Sequence, residues 1–312
     1  MAEVRQLLKD KRGVRKTIEL DYDGALIVRV YDSVLTDRFD YGASLFDKLN
    51  GWEIPVGTTL TKLIKHDFDK HAHVVVAGMT DYGKSVFLKN IITTLVARQT
   101  KHLKLFLVDL KGGLCFNRFR GLEQVHGVAK NADEARKILT EAQLRMEKVM
   151  QYLLLNGFED VKEAGINERF FVVIDESADI ASDTICQEII TDIARRGRAA
   201  GFRLVLATQY PTNETLKSQV RQNISAQICF KLKTEIASRA VLDEGGAEKL
   251  PLIQGRAIYR TDRKVIVQTP YISNSFIDET IKPHVTIRSR REGGFNEKAA
   301  TSGEHRLVIE EA

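Results

Sequence analysis

Apolar residues along the chain follow two rhythms. Short runs recur at His73–Ala77, Leu103–Asp109, Phe170–Asp175, Arg203–Thr208 and Ala226–Leu232, and each is predicted to be a strand. The run Phe170-Phe171-Val172-Val173-Ile174 does not alternate, as expected of a strand buried on both faces of a parallel sheet. The other rhythm is helical. Between Ala132 and Leu155, the positions Ala135, Ile138, Leu139, Ala142, Met146, Val149, Met150 and Leu153 recur mostly three and four apart, which predicts a helix packed along one face. A second helix is predicted from about Asp183, with Ser182 as its N-cap and Gly201 closing it. Strand and helix in alternation imply an α/β fold, a mainly parallel sheet flanked by helices.

The first 60 residues follow another pattern. After a short basic helix candidate, Val4 to Lys11, two β-rich runs surround Asp23-Gly24, a hairpin signal. A small β-rich N-terminal unit is therefore expected over 1–60, ending near Pro55-Val56-Gly57. The α/β core then occupies 61–284, and the polar stretch 285–312 is expected to be a flexible tail.

Composition narrows the function classes. Of 312 residues, 43% are hydrophobic and 29% charged, an ordinary globular balance that argues against disorder. A net charge of +5 permits a polyanionic partner without demanding one. Cys115, Cys186 and Cys229 are too few and too scattered for a disulfide framework or a zinc ribbon. His71 and His73 lack neighbouring ligands and read as residues at the start of a strand. No apolar run approaches the ~20 residues that span a bilayer, and the charged N-terminus has no apolar core. The expectation is a soluble, cytoplasmic protein without membrane insertion.

One motif fixes the chemistry. Gly78-Met79-Thr80-Asp81-Tyr82-Gly83-Lys84-Ser85 fits G-x-x-x-x-G-K-[ST], after an apolar strand and at the start of a helix. In that setting backbone N–H groups wrap nucleotide phosphates, Lys84 reaches the β and γ phosphates, and the Ser85 hydroxyl binds Mg²⁺. Downstream, Phe171-Val172-Val173-Ile174-Asp175-Glu176 runs an apolar strand into two carboxylates at the edge where open α/β sheets bind ligands. Asp175 is expected to hold Mg²⁺, directly or through water, and Glu176 to act as general base on the attacking water. Gln209 ends another strand, where its amide would sense the γ-phosphate. Asp109, followed by Lys111-Gly112-Gly113, reads equally as a crevice residue or as a polar strand-end turn.

Several segments together resemble the FtsK/SpoIIIE family of DNA-pumping ATPases, within the FtsK–HerA division of P-loop motors. They are VVVAGMTDYGKSVFLKNII, LFLVDLKGG, FFVVIDESADI, ARRGRAAGFRLVLATQYPT and ICFKLKTEIASRAVLDEGGAEKLPLIQGRAIYR, spread over roughly residues 53–272. The resemblance implies a RecA-like core, a hexameric ring with ATP between subunits, and DNA in the central channel. It also implies an arginine offered to the neighbour's γ-phosphate: Arg198 is the first candidate and Arg239 the second, while Arg195 and Arg196 share the helix end near Arg198. In the segment after Gln209, Lys217 and Arg221 are the expected cations for DNA phosphates, with an ordinary exposed helix as the alternative. The N-terminal cluster Lys11, Arg12, Arg15 and Lys16 reads first as a solvated basic segment.

The sequence departs from the family at Asp81 and Tyr82, where small residues are common. Neither the membrane region nor the winged-helix domain of large members is expected in its 312 residues. The expected function is thus a compact ATP-driven DNA translocase, suited to a phage, plasmid or conjugative element. The rival readings are a protein-secretion ATPase and a non-hydrolysing nucleotide-binding assembly module.

Overall fold

The computed structural model describes residues 17–22, 26–31, 33–212 and 215–285. The basic helix candidate, the cluster from Lys11 to Lys16, the Asp23-Gly24 turn and the polar tail beyond 285 lie outside the described residues. Strands β1 (Thr17–Tyr22) and β2 (Leu26–Tyr31) pair antiparallel, Tyr22 opposite Leu26, as a sheet of their own.

Everything else is built on one ten-stranded sheet. Strands β3 (Glu53–Thr58) and β4 (Leu63–Asp67) come first and pair with each other, so the sheet runs across residue 60. Then follow β5 (Val74–Ala77), helix α1 (Lys84–Gln99), β6 (Leu103–Asp109), β7 (Val125–Ala129), α2 (Ala132–Asn156) and β8 (Arg169–Asp175). The chain continues through α3 (Thr184–Arg196), β9 (Phe202–Thr208), the short α4 (Ser218–Gln222), β10 (Ala226–Phe230) and α5 (Glu235–Leu242). It closes with β11 (Arg256–Arg260), β12 (Lys264–Gln268) and α6 (Asn274–Ile281).

The spatial order is β4-β3-β12-β11-β10-β5-β9-β8-β6-β7. From β10 to β7 every neighbour is parallel, and the other four strands extend the sheet antiparallel beyond β10. Crossover helices cover both faces, which explains the unbroken apolar strands. In β8 all seven residues are buried, with Phe171 and Val173 in the core under α1 and α6, and Phe170, Val172 and Ile174 in the core under α2 and α3.

Local chemistry sets the helix ends. Asn131 caps α2 by accepting from the Glu134 N–H at 2.9 Å, while Glu134 accepts from the Lys130 N–H at 2.8 Å. Gly157, with φ 73°, ends that helix in the left-handed conformation. For α3 the cap is Asp183 rather than Ser182: its carboxylate accepts from the Cys186 N–H at 2.9 Å. The helix stops at Gly197, and Gly201, φ 78°, instead turns the chain into β9.

Candidate nucleotide site

The P-loop joins β5 to α1. Gly78 is required by close packing, because a Cβ there would meet the Phe230 Cβ at 2.6 Å. Gly83 takes φ 113° at the N-cap of α1, in the left-handed range that favours glycine. The loop is tied to neighbouring strands through the Gly78 N–H to the Thr208 carbonyl and the Met79 N–H to the Lys231 carbonyl. The start of α1 presents the unpaired N–H groups and partial positive charge of any helix N-terminus.

The two unusual residues of the loop are accommodated. Asp81 is exposed with φ 68°. Tyr82 packs against the core, and its carbonyl accepts from the Gly255 N–H at 3.0 Å, which fastens the loop to the turn before β11.

Strand β8 brings Asp175 and Glu176 to the same edge. Lys84, Asp175 and Glu176 have side chains only 3% exposed. Lys84 Nζ is bonded to an Asp175 carboxylate oxygen and lies 4.0 Å from Glu176 Oε2. Glu176 has φ 61°, an uncommon conformation for a residue with a side chain, and such positions cluster at active sites and switches. Its Oε1 accepts from the Gln209 N–H at 3.1 Å and the Thr208 hydroxyl at 3.4 Å. The Gln209 side chain in turn accepts from the Thr80 hydroxyl at 2.9 Å, linking the β9 end to the P-loop.

Ser85 and Asp175 offer a hydroxyl and a carboxylate, hard oxygen donors of the kind Mg²⁺ takes beside nucleotide phosphates and water. In this structure one Asp175 carboxylate oxygen is taken by Lys84.

Asp109 turns out to build the strand-end turn. Its buried carboxylate accepts from the Lys111, Cys115 and Phe116 N–H groups at 3.2, 2.6 and 3.3 Å, which engages both of its oxygens with its own loop.

Other expected residues fall outside this cluster. Arg198 lies at the opposite edge of the sheet, where its carbonyl accepts from Arg203 Nη1 at 3.3 Å and its charge acts on His73, so it faces away from its own chain's P-loop. Arg239 is exposed on α5 and paired with Glu235 at 2.7 Å. Lys217 stands exposed before α4. Arg221 donates to the Ala240 carbonyl at 3.2 Å and sits 3.8 Å from Asp243, so part of its work is to tie α4 to the end of α5.

Two features had escaped the sequence reading. A cleft of about 510 Å³ opens beside the P-loop, lined by Arg38 and Tyr271 as well as by Thr80 and Lys84. The Arg38 guanidinium covers the Tyr271 ring at 4.7 Å, and the Tyr271 N–H donates to the Phe39 carbonyl at 2.7 Å. No local motif announces this wall, which forms only when residues 37–41 return beside β12. The other is Lys111, whose ammonium lies 3.2 Å from Glu176 Oε2. The Lys-Gly-Gly turn hints at this loop, but the contact depends on β6 and β8 being neighbours.

Comparison with known proteins follows the same lines. Residues 52–179 match the FtsK/SpoIIIE family. A DNA translocase FtsK of Listeria monocytogenes is 33% identical over 204 residues, covering 59% of this chain and 27% of the relative, so the chain spans little more than a quarter of that protein's length. Among solved structures, the pCW3 conjugation coupling protein TcpA with ATPγS superposes with a TM-score of 0.74 at 22% identity, over 90% of this chain and 84% of that one. The cytoplasmic domain of the Thermomonospora curvata type VII secretion ATPase EccC gives 0.67 at 22% identity, over 76% and 31%. The architecture is that of RecA-like P-loop ATPases. No helix among the described residues is long and apolar enough to cross a membrane.

Proposed function

From the match of residues 52–179 to the FtsK/SpoIIIE family and the likeness to its DNA translocases, we propose an ATP-hydrolysing DNA translocase that works as a homo-oligomeric, hexameric ring. The observation that carries the catalytic half is the buried cluster of Lys84, Asp175 and Glu176 beside Thr80 and Gln209. The DNA half rests on likeness to the FtsK translocase, since the fold is shared with a secretion ATPase and does not discriminate.

ATP would lie along Gly78–Ser85, its phosphates held by the loop N–H groups, by the helix N-terminus and by Lys84. Bound Mg²⁺ would neutralise charge developing on the β and γ oxygens, with Ser85 and Asp175 as its protein ligands. Glu176, fixed through Oε1 by Gln209 and Thr208, would accept the proton of the attacking water at Oε2. Gln209 would report the γ-phosphate to the P-loop through Thr80.

Because Arg198 faces away from its own P-loop, a role at a γ-phosphate would require a neighbouring subunit, as a ring provides. Arg239 is the second candidate, on release from Glu235. Lys217 would meet DNA phosphates directly, and Arg221 would do so at the expense of its bonds to α5. A cytoplasmic location belongs to the same proposal.

The deciding experiment is an ATPase titration with duplex DNA, single-stranded DNA and none, at two salt concentrations. Stimulation that weakens with salt is expected, because phosphate contacts displace counterions. A rate identical in all three conditions would sink the DNA half. Stimulation by a peptide but not by DNA would favour a secretion motor, and absence of hydrolysis an assembly module.

A further inference from the structure

Glu176 is held in two unlike ways. Oε1 accepts from a backbone N–H and a hydroxyl, both on β9 and the residue after it. Oε2, the oxygen left for water, is buried and has no aligned hydrogen bond. It is instead approached by two ammonium groups, Lys111 at 3.2 Å and Lys84 at 4.0 Å. Lys84 is committed to Asp175 in the same buried pocket. Lys111 is different: its side chain is 47% exposed, although the carboxylate it touches is 3% exposed.

The backbone around Lys111 is hydrogen-bonded while its side chain is half exposed. The Lys111 N–H is pinned to the Asp109 carboxylate at 3.2 Å, and the Gly113 N–H donates to the Asp109 carbonyl at 3.1 Å. The ammonium therefore reaches in from solvent on a flexible four-carbon stem, and its grip on Oε2 is ionic rather than directed. A cation at this position occupies the side of the carboxylate that an activated water must use. Because 47% of the Lys111 side chain is exposed, a competing anion can meet its ammonium from solvent without entering the pocket.

We propose that Lys111 is a positioning residue that keeps Glu176 idle until a nucleic-acid phosphate draws its ammonium away. The inference rests on the translocase reading above, with Glu176 as general base. Lys111 follows β6 and Lys217 lies beyond β9, both on loops leaving the ends of parallel strands, with β8 between them. A polyanion on that edge would thus meet Lys111 and Lys217 together. Hydrolysis would then wait for the strand that is to be moved.

The test measures ATP hydrolysis of the full chain and of Lys111→Met, Lys111→Arg and Glu176→Gln, each with and without duplex DNA. Lys111→Met keeps the length of the side chain and removes its charge. Its rate without DNA should rise about fivefold, the scale of one partly exposed ion pair, and the stimulation ratio should fall toward one, with KM for ATP unchanged. Lys111→Arg should keep the ratio of the natural protein, and a urea midpoint unchanged in both variants separates this effect from a structural one. A Lys111→Met protein with an unaltered stimulation ratio overturns the proposal. So does one slower by the same factor in both conditions, which would make Lys111 a contact to the reacting phosphate. If the natural protein hydrolyses ATP equally with and without DNA, the translocase reading fails and takes the release step with it. The first two failures leave that reading standing.

Discussion

At the edge where the parallel strands begin, Asp69 accepts from Arg169 Nε at 2.9 Å and Arg203 Nη2 at 2.6 Å. At the edge where they end, Lys84, Asp175 and Glu176 form a second cluster of charges, each 3% exposed where Asp69 is 22% exposed. The two clusters differ in what anchors them. Arg169 also donates to the Ile166 and Glu168 carbonyls, Arg203 to the Phe202 carbonyl, and His73 accepts from the Leu204 N–H. That edge is held by directed bonds to the backbone. At the other edge the cations, Lys84 and Lys111, hold carboxylates through side chains alone, and one oxygen of Glu176 has no aligned bond. Burial of charge is common to structure and catalysis; freedom to exchange partners distinguishes the catalytic cluster.

Glu176→Gln gives the largest effect on this contrast. Loss of the general base should lower the ATPase rate by about 10²–10⁴-fold, read as phosphate release. The urea midpoint should hold or rise, since an amide carries no charge to bury at Oε2. A large fall in stability would mean that the two edges are alike after all.

Asp69→Ala is the converse. It removes the counter-ion of Arg203, whose side chain is 1% exposed, and of Arg169. Stranding a buried cation should cost about 3 kcal/mol of unfolding free energy, the low end for such pairs because Asp69 is itself partly open to water. The rate per folded molecule should not change. Chemical denaturation followed by activity on the folded fraction measures both.

Acid sharpens the comparison further. Burial pushes the imidazole of His73 from its usual 6.5 down to about 3, and that of His66, on β4, equally far. Between these values the unfolded chain binds protons that the folded chain refuses, so stability falls as pH drops from about 6.5 toward 3. Asp69, its carboxyl held below the usual value by Arg169 and Arg203 in spite of burial, adds a further loss only beneath the ordinary carboxylate range. Denaturant midpoints at a series of pH values should show the decline, and His73→Gln should flatten it. A profile unchanged by the substitution would remove His73 as a cause.

The sequence made the parallel half legible because each of its strands is buried on both faces, and continuous apolar runs such as Phe170–Ile174 have few other uses. The P-loop and Asp175-Glu176 were legible for a related reason, being short motifs whose chemistry is local. The antiparallel strands β3, β4, β11 and β12 escaped notice: Lys264–Gln268 alternates exposed and half-buried positions before turning inward, and Glu53–Thr58 contains Pro55 and Gly57. Gly57 is there because a Cβ would meet the Gln268 carbonyl oxygen at 2.5 Å, a constraint set by a strand two hundred residues away. The Lys111 contact and the Arg38–Tyr271 wall escaped for the same reason, since each joins segments that only the completed sheet makes neighbours.

That wall offers the smallest and most selective test. Arg38 and Tyr271 belong to neither buried edge: both are exposed, and Arg38 is shared between the Tyr271 ring and Asp40 at 2.8 Å. A nucleotide whose phosphates rest on Gly78–Ser85 would carry its base and ribose into the cleft they bound. Tyr271→Ala should therefore weaken ATP binding about fivefold, the scale of one stacked or cation–π contact at an exposed site, and appear as a raised KM with kcat held. Stability should hardly move, because half of the ring already faces water. A fall in kcat with KM unchanged would instead place Tyr271 with Glu176, and the wall would have to be counted as part of the catalytic edge.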